Sequence, residues 1–479
     1  MYVNVKQKMG QLPPEYKEEL LGSIREEFIK SGKTIVVLDD DPTGTQTCYD
    51  VTVLTSWGVA LITEELNKKP SILFILTNSR SLPEKDAVEL TREIGKNLKE
   101  AVRQSGREIV VISRSDSTLR GHFPAEVDAI AAELDMKNAV IVLVPAFIEG
   151  GRFTIDNIHY LIENQELVPV SDTAFAKDVV FGYRHADLKL WVEEKTNGRI
   201  SASEVNSISI EDIRVGGPQL VNEKLKACND GSICIINAAS YRDLELIVMA
   251  LILAEKTGKK FLYRSSATLV PIRAGMESGK IFVPQKEDTN TPNGSLVIVG
   301  SHVPKTTSQL KWLLANGKYK SIEVNVGEIL NSVETLEQAK TISKQIDDWI
   351  SSGNNVVIHT SRQLEVGNDM ESSLKINALV SDFIVSIMKG ITVRPKFIIA
   401  KGGITSSDIA SKGLAAERAL VLGAVIPGVP VWKMDAKSKF PEIIYVVFPG
   451  NVGDESALEE VCRKLTAPEW IVLTTIQKV

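Results

Sequence analysis

Residues Ile35 to Thr47 read IVVLDDDPTGTQT, a β-branched apolar run closed by three aspartates and a Pro-Thr-Gly-Thr turn. A short, unbroken apolar run bounded by turn residues is the pattern of a strand buried on both faces, as in a parallel sheet. Open α/β sheets bind ligands just beyond the carboxyl ends of such strands. Asp39, Asp40 and Asp41 fall at that point. Three like charges there repel one another, so a metal, a base role or a polyol ligand has to compensate. The feature predicts an active-site strand.

The same grammar recurs along the chain. Strand-like runs begin at Val51, Ser71, Glu108 and Ala139, with helical patterns from Glu84 and Ala125 between them. Such alternation implies parallel βαβ units. Further strands at Cys234 and Lys259 flank a helix from Arg242 to Lys256, whereas Ala174 to Gly216 shows no placeable element. Gln285 to Gly294, QKEDTNTPNG, has no apolar residue and reads as a linker. Beyond it the rhythm restarts with runs at Leu296, Val356, Phe397 and Ile444, a helix from Thr306, one from Leu336, and a short apolar stretch at Val421. The expected fold is α/β: two α/β domains with largely parallel sheets and an interdomain cleft. The boundaries read as a helical extension over 1–33, with one amphipathic helix across 13–31, a first domain over 34–284, a linker over 285–294 and a second domain over 295–479.

With 479 residues the chain exceeds one ordinary core. A net charge of −6 with no basic block argues against nucleic acid as a partner. The N-terminus lacks the apolar core of a signal peptide, and the most apolar helix, Leu244 to Ala254, is too short to span a bilayer. A cytoplasmic protein with no membrane partner is expected. Cys48, Cys228, Cys234 and Cys462 form no CxxC pair, and no two of the five histidines have metal-ligand spacing.

Polar residues collect at the strand ends. In the first half these are Asn78, Ser79 and Arg80; Arg114, Asp116, Ser117, Thr118 and Arg120; and Glu149, Gly151 and Arg152. Guanidinium groups can clamp a carboxylate bidentately, and acids with hydroxyls can bind a polyol. A small, hydroxylated, anionic substrate fits that set. In the second half, Gly300-Ser301, Lys401-Gly402-Gly403 and Gly450-Asn451-Val452-Gly453 each follow a strand. Glycines let the backbone approach an anion, and Thr405, Ser406 or Ser407 are expected to cap the following helix, as are Thr306, Thr307 and Ser308 in theirs. These turns together suggest a phosphate and nucleoside cradle.

Taken together, the DDxTG element (Asp40, Asp41, Pro42, Thr43, Gly44), the DSTLRG element (Asp116 to Gly121), the PAF…GR segment (Pro145, Ala146, Phe147, Gly151, Arg152), GSHVPKTTSQL and the GGITS turn resemble the four-carbon acid sugar kinase family. The resemblance runs from about Thr34 to Lys464. It implies an N-terminal acid-sugar-binding domain, a C-terminal nucleotide-binding domain, and ATP-dependent phosphorylation of a terminal hydroxyl on a tetronate such as threonate, erythronate or 3-oxo-tetronate. By position it carries ATP contacts onto Ser301, Gly402, Gly403, Ile404, Thr405 and Gly450, and acid-sugar contacts onto Asp40, Asp41, Arg80, Asp116 and Arg120. One departure stands out: many members carry Lys-Ser-Gly-x-Phe-Gly where this chain has Phe448, Pro449, Gly450, Asn451, Val452 and Gly453.

The candidate catalytic acids are therefore Asp40, Asp41 and Asp116. The candidate substrate contacts are Thr43, Gly44, Arg80, Ser117, Arg120 and Arg152, with Arg80 and Arg120 on the substrate carboxylate. The nucleotide side comprises Ser301, Gly402, Gly403, Ile404, Thr405, Ser406, Gly450, Asn451 and Gly453. ATP and Mg²⁺ are the expected cofactors, with no metal ligand set assigned; the partner is a small acid sugar, and a homodimer is left open. Two rivals are weighed. Asp39, Asp41 and Thr43 also fit the DxDxT signature of haloacid-dehalogenase-type phosphatases, whose first aspartate is a nucleophile. A non-catalytic acid-sugar and nucleotide-binding protein would keep the sites without the chemistry.

Overall fold

Thr34–Asp39 is a strand, and every residue in it is buried. It pairs in parallel with Ile72–Leu76 on one side and Ile109–Arg114 on the other. The computed structural model describes residues 3–285, 288, 291–331, 335–362 and 370–466. They divide into two units, one of Met1–Val51 with Trp57–Ser278, the other of Thr52–Ser56 with Gly279–Val479.

In the first unit seven parallel strands run in the order Asn206–Ile208, Ile233–Ile236, Val140–Val144, Phe261–Ser265, Ile109–Arg114, Thr34–Asp39, Ile72–Leu76. The chain leaves Thr34–Asp39 toward Ile72–Leu76 but leaves Ile109–Arg114 toward Val140–Val144, in the opposite direction. The two adjacent strands thus flank a switch point, where their carboxyl-terminal loops part and leave a crevice. Glu84–Ser105 and Ala125–Glu133 are helices with buried apolar faces. A separate antiparallel sheet has the order Val3–Asn4, Glu166–Pro169, Ile158–Glu163, Arg152–Ile155.

In the second unit Ile444–Phe448, Ile398–Lys401, Leu296–Val299, Asn355–Thr360 and Tyr319–Val324 are parallel neighbours in that order. Here the switch point lies between Leu296–Val299 and Ile398–Lys401, whose chains depart to opposite sides. The apolar stretch at Val421 belongs to an antiparallel hairpin, Arg418–Ile426 with Val429–Met434. The core packs Val297, Val299, Ile399, Val446 and Phe448 against Leu310, Leu313, Leu458 and Val461. Each fully buried side chain of this kind contributes about 1.5–3 kcal/mol.

Two local readings need correction. The helix expected over 13–31 covers only Leu21–Ser31, with a separate short helix at Val5–Gly10. Pro13 and Pro14 disfavour helix in the residues before them, and the Leu20 amide donates to Glu245 (3.2 Å) instead of to a preceding turn. The hydroxyls expected as helix caps do not cap: the helix Pro304–Asn316 is preceded by Val303 and Gly403–Asp408 by Gly402, neither with a side-chain cap. Part of the proposed linker, residues 286, 287, 289 and 290, lies outside the described residues. Just before it, Phe282 donates to Ala424 O (2.8 Å) and Ala424 to Lys280 O (3.0 Å), which ties this segment to the second unit.

Candidate active site

The acidic loop begins where strand pairing ends. Asp39 stands in register with Arg114, whose Nη1 lies 3.0 Å from Asp39 Oδ1. Asp39 Oδ2 has no hydrogen-bond partner, and a Cβ on Gly44 would fall 2.0 Å from it. Gly44 was read as a substrate contact; its geometry gives it the task of letting the loop close over Asp39. Burial, reinforced by Asp40 and Asp41 and opposed by Arg114, pushes the Asp39 carboxyl up to about 7. A raised carboxyl binds its proton more tightly folded than unfolded, so this group's contribution falls as pH rises from about 4 to about 7. Asp39→Asn is expected to gain stability over the parent at pH 8 relative to pH 4, on the order of a few kcal/mol. Urea unfolding midpoints at the two pH values measure this; an equal difference at both would refute the assignment.

Asp40 is the buried hub. Arg80 donates to both its oxygens, through Nη2 to Oδ1 and through Nε to Oδ2 (3.3 Å), and Ser115 Oγ donates to Oδ2. Burial would raise the Asp40 carboxyl, but Arg80, Arg114 and Arg264 together hold it below the usual range. Gly121 makes this convergence possible. Its φ is +121°, and a Cβ would lie 2.6 Å from Ser115 Oγ and 3.1 Å from Asp40 Oδ2. Asp41 is less encumbered: its side chain is 16% exposed, Oδ1 accepts from Thr43 N (2.8 Å), and Oδ2 is 3.5 Å from Arg80 Nη1.

Asp116 follows the neighbouring strand. Its Oδ2 accepts from Arg120 Nε (2.7 Å) and from Thr118 Oγ1. Burial works against its charge, yet Arg120 and Arg80 prevail and hold the carboxyl far below the usual range. Arg120 also faces Asp178 (3.6 Å) and lies 5.0 Å over the Phe175 ring. The loop itself is buttressed. Tyr183 donates to Thr118 O (2.7 Å), and His159 Nε2 to Ser117 O (2.7 Å). A carbonyl can only accept, which fixes the tautomer; Thr154 Oγ1 then donates to His159 Nδ1 (2.9 Å). Burial drives His159 down to about 4, so it stays neutral.

Arg152 differs from the other guanidinium groups. Nη1 donates to Gly150 O (3.2 Å), the group lies 5.4 Å over the Phe147 ring, and the buried Nε has no partner. Burial lowers its pKa, with Asp116 the opposing charge and Arg120 adding to the drop. The first unit thus brings Asp40, Asp41, Arg80, Asp116, Arg120 and Arg152 into one electrostatic cluster.

Several members were missed. Phe175, Asp178 and Tyr183 come from the stretch that carried no readable period. Arg264 donates to Ser113 Oγ (3.0 Å) and lies 4.0 Å from Glu126, which accepts from Ser79 Oγ. A lone arginine inside the apolar run FLYRS was the available signal for it. His122 Nε2 lies between Ser79 O (3.2 Å) and Leu82 O (3.0 Å), a loop-holding role.

In the second unit three adjacent strand ends meet at Ser301. A Cβ on Gly450 would lie 2.9 Å from Ser301 Oγ, one on Gly402 (φ +117°) 3.1 Å from Ser301 Cβ, and one on Gly300 2.1 Å from Thr405 Oγ1. Thr306 Oγ1 donates to Gly450 O (3.1 Å), and Arg362, unnoticed in the sequence, donates through Nη1 to Ser301 O (2.7 Å). Gly403 follows at the turn, and Ile404 is 41% exposed beside it. Gln309 Nε2 donates to Val452 O (2.9 Å), holding the loop of Asn451 and Gly453. Ser406 is turned inward, donating to Ala400 O and Gly402 O (2.7 Å each), so it braces the turn and is not available to a nucleotide.

Among the described residues no group of three or more His, Cys, Asp or Glu could hold a metal ion, and no helix is long and apolar enough to cross a membrane.

Two family models match the chain: a sugar-binding N-terminal domain over residues 35–272 and a nucleotide-binding C-terminal domain over residues 296–458. A D-threonate kinase of Salmonella typhimurium is 23% identical over 443 residues, 88% of this chain and 96% of that protein. A D-erythronate kinase of Heliobacterium modesticaldum is 22% identical over 329 residues, 66% of this chain and 68% of that protein. A crystal structure of a Haemophilus influenzae protein has a TM-score of 0.58 at 17% identity, covering 89% of this chain and 99% of its own. Another, from Salmonella typhimurium LT2, has a TM-score of 0.64 at 16% identity, covering 90% and 99%. At those identities the two structures establish the fold, two α/β domains with largely parallel sheets. Both family models in sequence order, with a kinase relative aligned along nearly its whole length, make this chain a member of the four-carbon acid sugar kinase family.

Proposed function

We propose that the chain transfers the γ-phosphoryl group of ATP to a terminal hydroxyl of a four-carbon sugar acid in the cytoplasm, with D-threonate and D-erythronate as the first candidates. The observation that carries this reading is the buried cluster of Asp40, Asp41 and Asp116 with Arg80, Arg120 and Arg152 at the first unit's switch point. Acids of this kind suit a polyol, and guanidinium groups suit its carboxylate. Three of the five Arg80 donors go to Asp40 and Asp41, so the carboxylate is assigned first to Arg152, whose Nε is unsatisfied, with Arg120 beside it. Thr43 and Ser117 lie next to the acids and complete the sugar side. The glycines around Ser301 form the phosphate cradle of the second unit.

Phosphoryl transfer asks mainly for positioning and charge neutralisation. Asp41 accepts the proton of the attacking hydroxyl at Oδ2. Asp40 fixes the loop through Arg80. Mg²⁺ on nucleotide phosphates keeps most of its waters and needs only one or two carboxylates, so these acids fit it without a protein cage. Asp116, whose hydrogen bonds run to Oδ2, would hold it through Oδ1, and the ion would neutralise charge on the phosphates. The phosphatase reading needs Asp39 as nucleophile. Asp39 is fully buried under Gly44, which speaks against it.

ADP release from MgATP across D- and L-threonate, D- and L-erythronate and 3-oxo-tetronate tests the reading. Turnover with at least one is expected, and Arg152→Gln should raise its KM about 10- to 100-fold with a smaller change in kcat. No turnover despite intact ATP binding would reject the tetronates. ATP-independent phosphate release from phosphoesters would reject the kinase.

A further inference from the structure

Two charged side chains beneath the acidic loop each keep one atom that no described residue satisfies. Glu126, in the first turn of the helix Ala125–Glu133, is 6% exposed, and its Oε2 has no hydrogen-bond partner. Arg114, the last residue of its strand, is 4% exposed, and its Nε has none either. One atom is an acceptor and the other a donor. Leaving either unpaired in the interior is costly.

Both residues line the same cavity. Its wall also carries Asp40, Arg264, Thr77 and Ser113, and its volume of about 10 Å³ is the room of one water molecule. A water can donate to Glu126 Oε2 while accepting from Arg114 Nε, so a single ligand answers both orphan atoms. A metal ion is the poorer occupant, because Arg114 and Arg264 put two positive charges on the wall.

The place of Glu126 in the sheet gives the water a role. In the strand order Phe261–Ser265, Ile109–Arg114, Thr34–Asp39, Ile72–Leu76, the acidic loop leaves the third strand. Glu126 meets residues on both sides of it. Its Oε1 accepts from Ser79 Oγ, next to Arg80, and its Oε2 lies 4.0 Å from Arg264 Nη1. Arg80 in turn holds Asp40 and Asp41, and Arg114 holds Asp39 (3.0 Å). We propose that the cavity holds one ordered water bridging Glu126 Oε2 to Arg114 Nε, and that Glu126 is thereby a positioning residue for the acidic loop. It braces the Arg80 side and the Arg114 side together and keeps Asp41 where the attacking hydroxyl meets it. The positioning role rests on the kinase reading above; the water does not.

A crystal structure of the full chain, at a resolution that shows ordered water, should place one peak within hydrogen-bond distance of both atoms. No peak, a peak touching only one of them, or a peak with the short oxygen distances of a metal ion would overturn the site. Glu126→Leu removes both acceptors and should lower kcat about 10- to 100-fold, with the KM for the sugar acid and the Kd for ATP within about threefold. Glu126→Gln can still accept from Ser79 and donate to the water, and should recover most of that loss. A thermal melt verifies that the leucine variant is folded; Glu126→Met, unbranched and of similar length, is the second variant if it is not. A kcat for the apolar variant within about threefold of the parent, or a glutamine variant no better than it, would overturn the positioning role. A parent chain that turns over no sugar acid would overturn the kinase reading and the positioning role with it, and the crystallographic peak would still decide the water.

Discussion

Asp41→Asn is expected to lower kcat by about two to four orders of magnitude, the usual worth of a positioned general base, while the Kd for ATP stays within about twofold. The substitution preserves shape. Asparagine can still accept the Thr43 amide at 2.8 Å, so the turn over Pro42–Thr47 should persist. What disappears is an oxygen able to take a proton. The neighbouring acids are poorly suited to replace it. Asp40 is occupied on both oxygens by Arg80 and Ser115, and Asp116 is held far below the usual carboxylate range by Arg120 and Arg80 against the effect of burial, which makes it a weak base. Steady-state kinetics with the substrate found in the panel, with calorimetry for ATP, measure both quantities. Turnover near the parent value would take Asp41 out of the base role and leave Asp116 as the remaining acid to test.

The largest stability effect is expected at the adjacent position. Asp40→Ala should destabilise the first unit by about 3–5 kcal/mol, the cost of removing one partner from a buried ion pair. Arg80, Arg114 and Arg264 all lean on this carboxylate, and alanine leaves three guanidinium groups facing one another. The penalty has a definite pH signature. Because the folded carboxyl is held below its unfolded value, its contribution is present above the ordinary carboxylate range and is lost as pH falls through the folded value. The gap between parent and variant in urea unfolding should therefore be large at pH 7 and shrink toward pH 3. A gap below about 1 kcal/mol at pH 7 would mean that solvent already compensates the cluster, contrary to its burial.

What could be read in the chain follows from physics that acts locally. A strand buried on both faces leaves an unbroken apolar run, which is why Thr34–Asp39, Ile72–Leu76 and Ile398–Lys401 were legible. Their ends were legible too, because charged residues after such runs have few structural reasons to be there. Contributions fixed by tertiary contact left no period. Phe175 and Asp178 reach Arg120 from irregular turns, and Val3–Asn4 is a strand only because Glu166–Pro169 offers an edge. Ser406 looked like a capping hydroxyl, yet its donor is claimed by two backbone carbonyls in the strand and turn before it. Gly44 and Gly121 illustrate the same limit, as their neighbours become known only once the loops are closed.

The position of Phe261–Ser265 in the first sheet sets an order on the making of the protein. That strand is inserted between Ile109–Arg114 and Val140–Val144, two segments synthesised long before it. Until residue 265 leaves the ribosome, Ile109–Arg114 and Val140–Val144 lack the strand that pairs with both, and Asp40 lacks Arg264. Non-local pairings of this kind slow folding and leave strand edges open meanwhile. A chain interrupted before Phe261 therefore carries the acidic loop with two strand edges unpaired and without Arg264 beside Asp40.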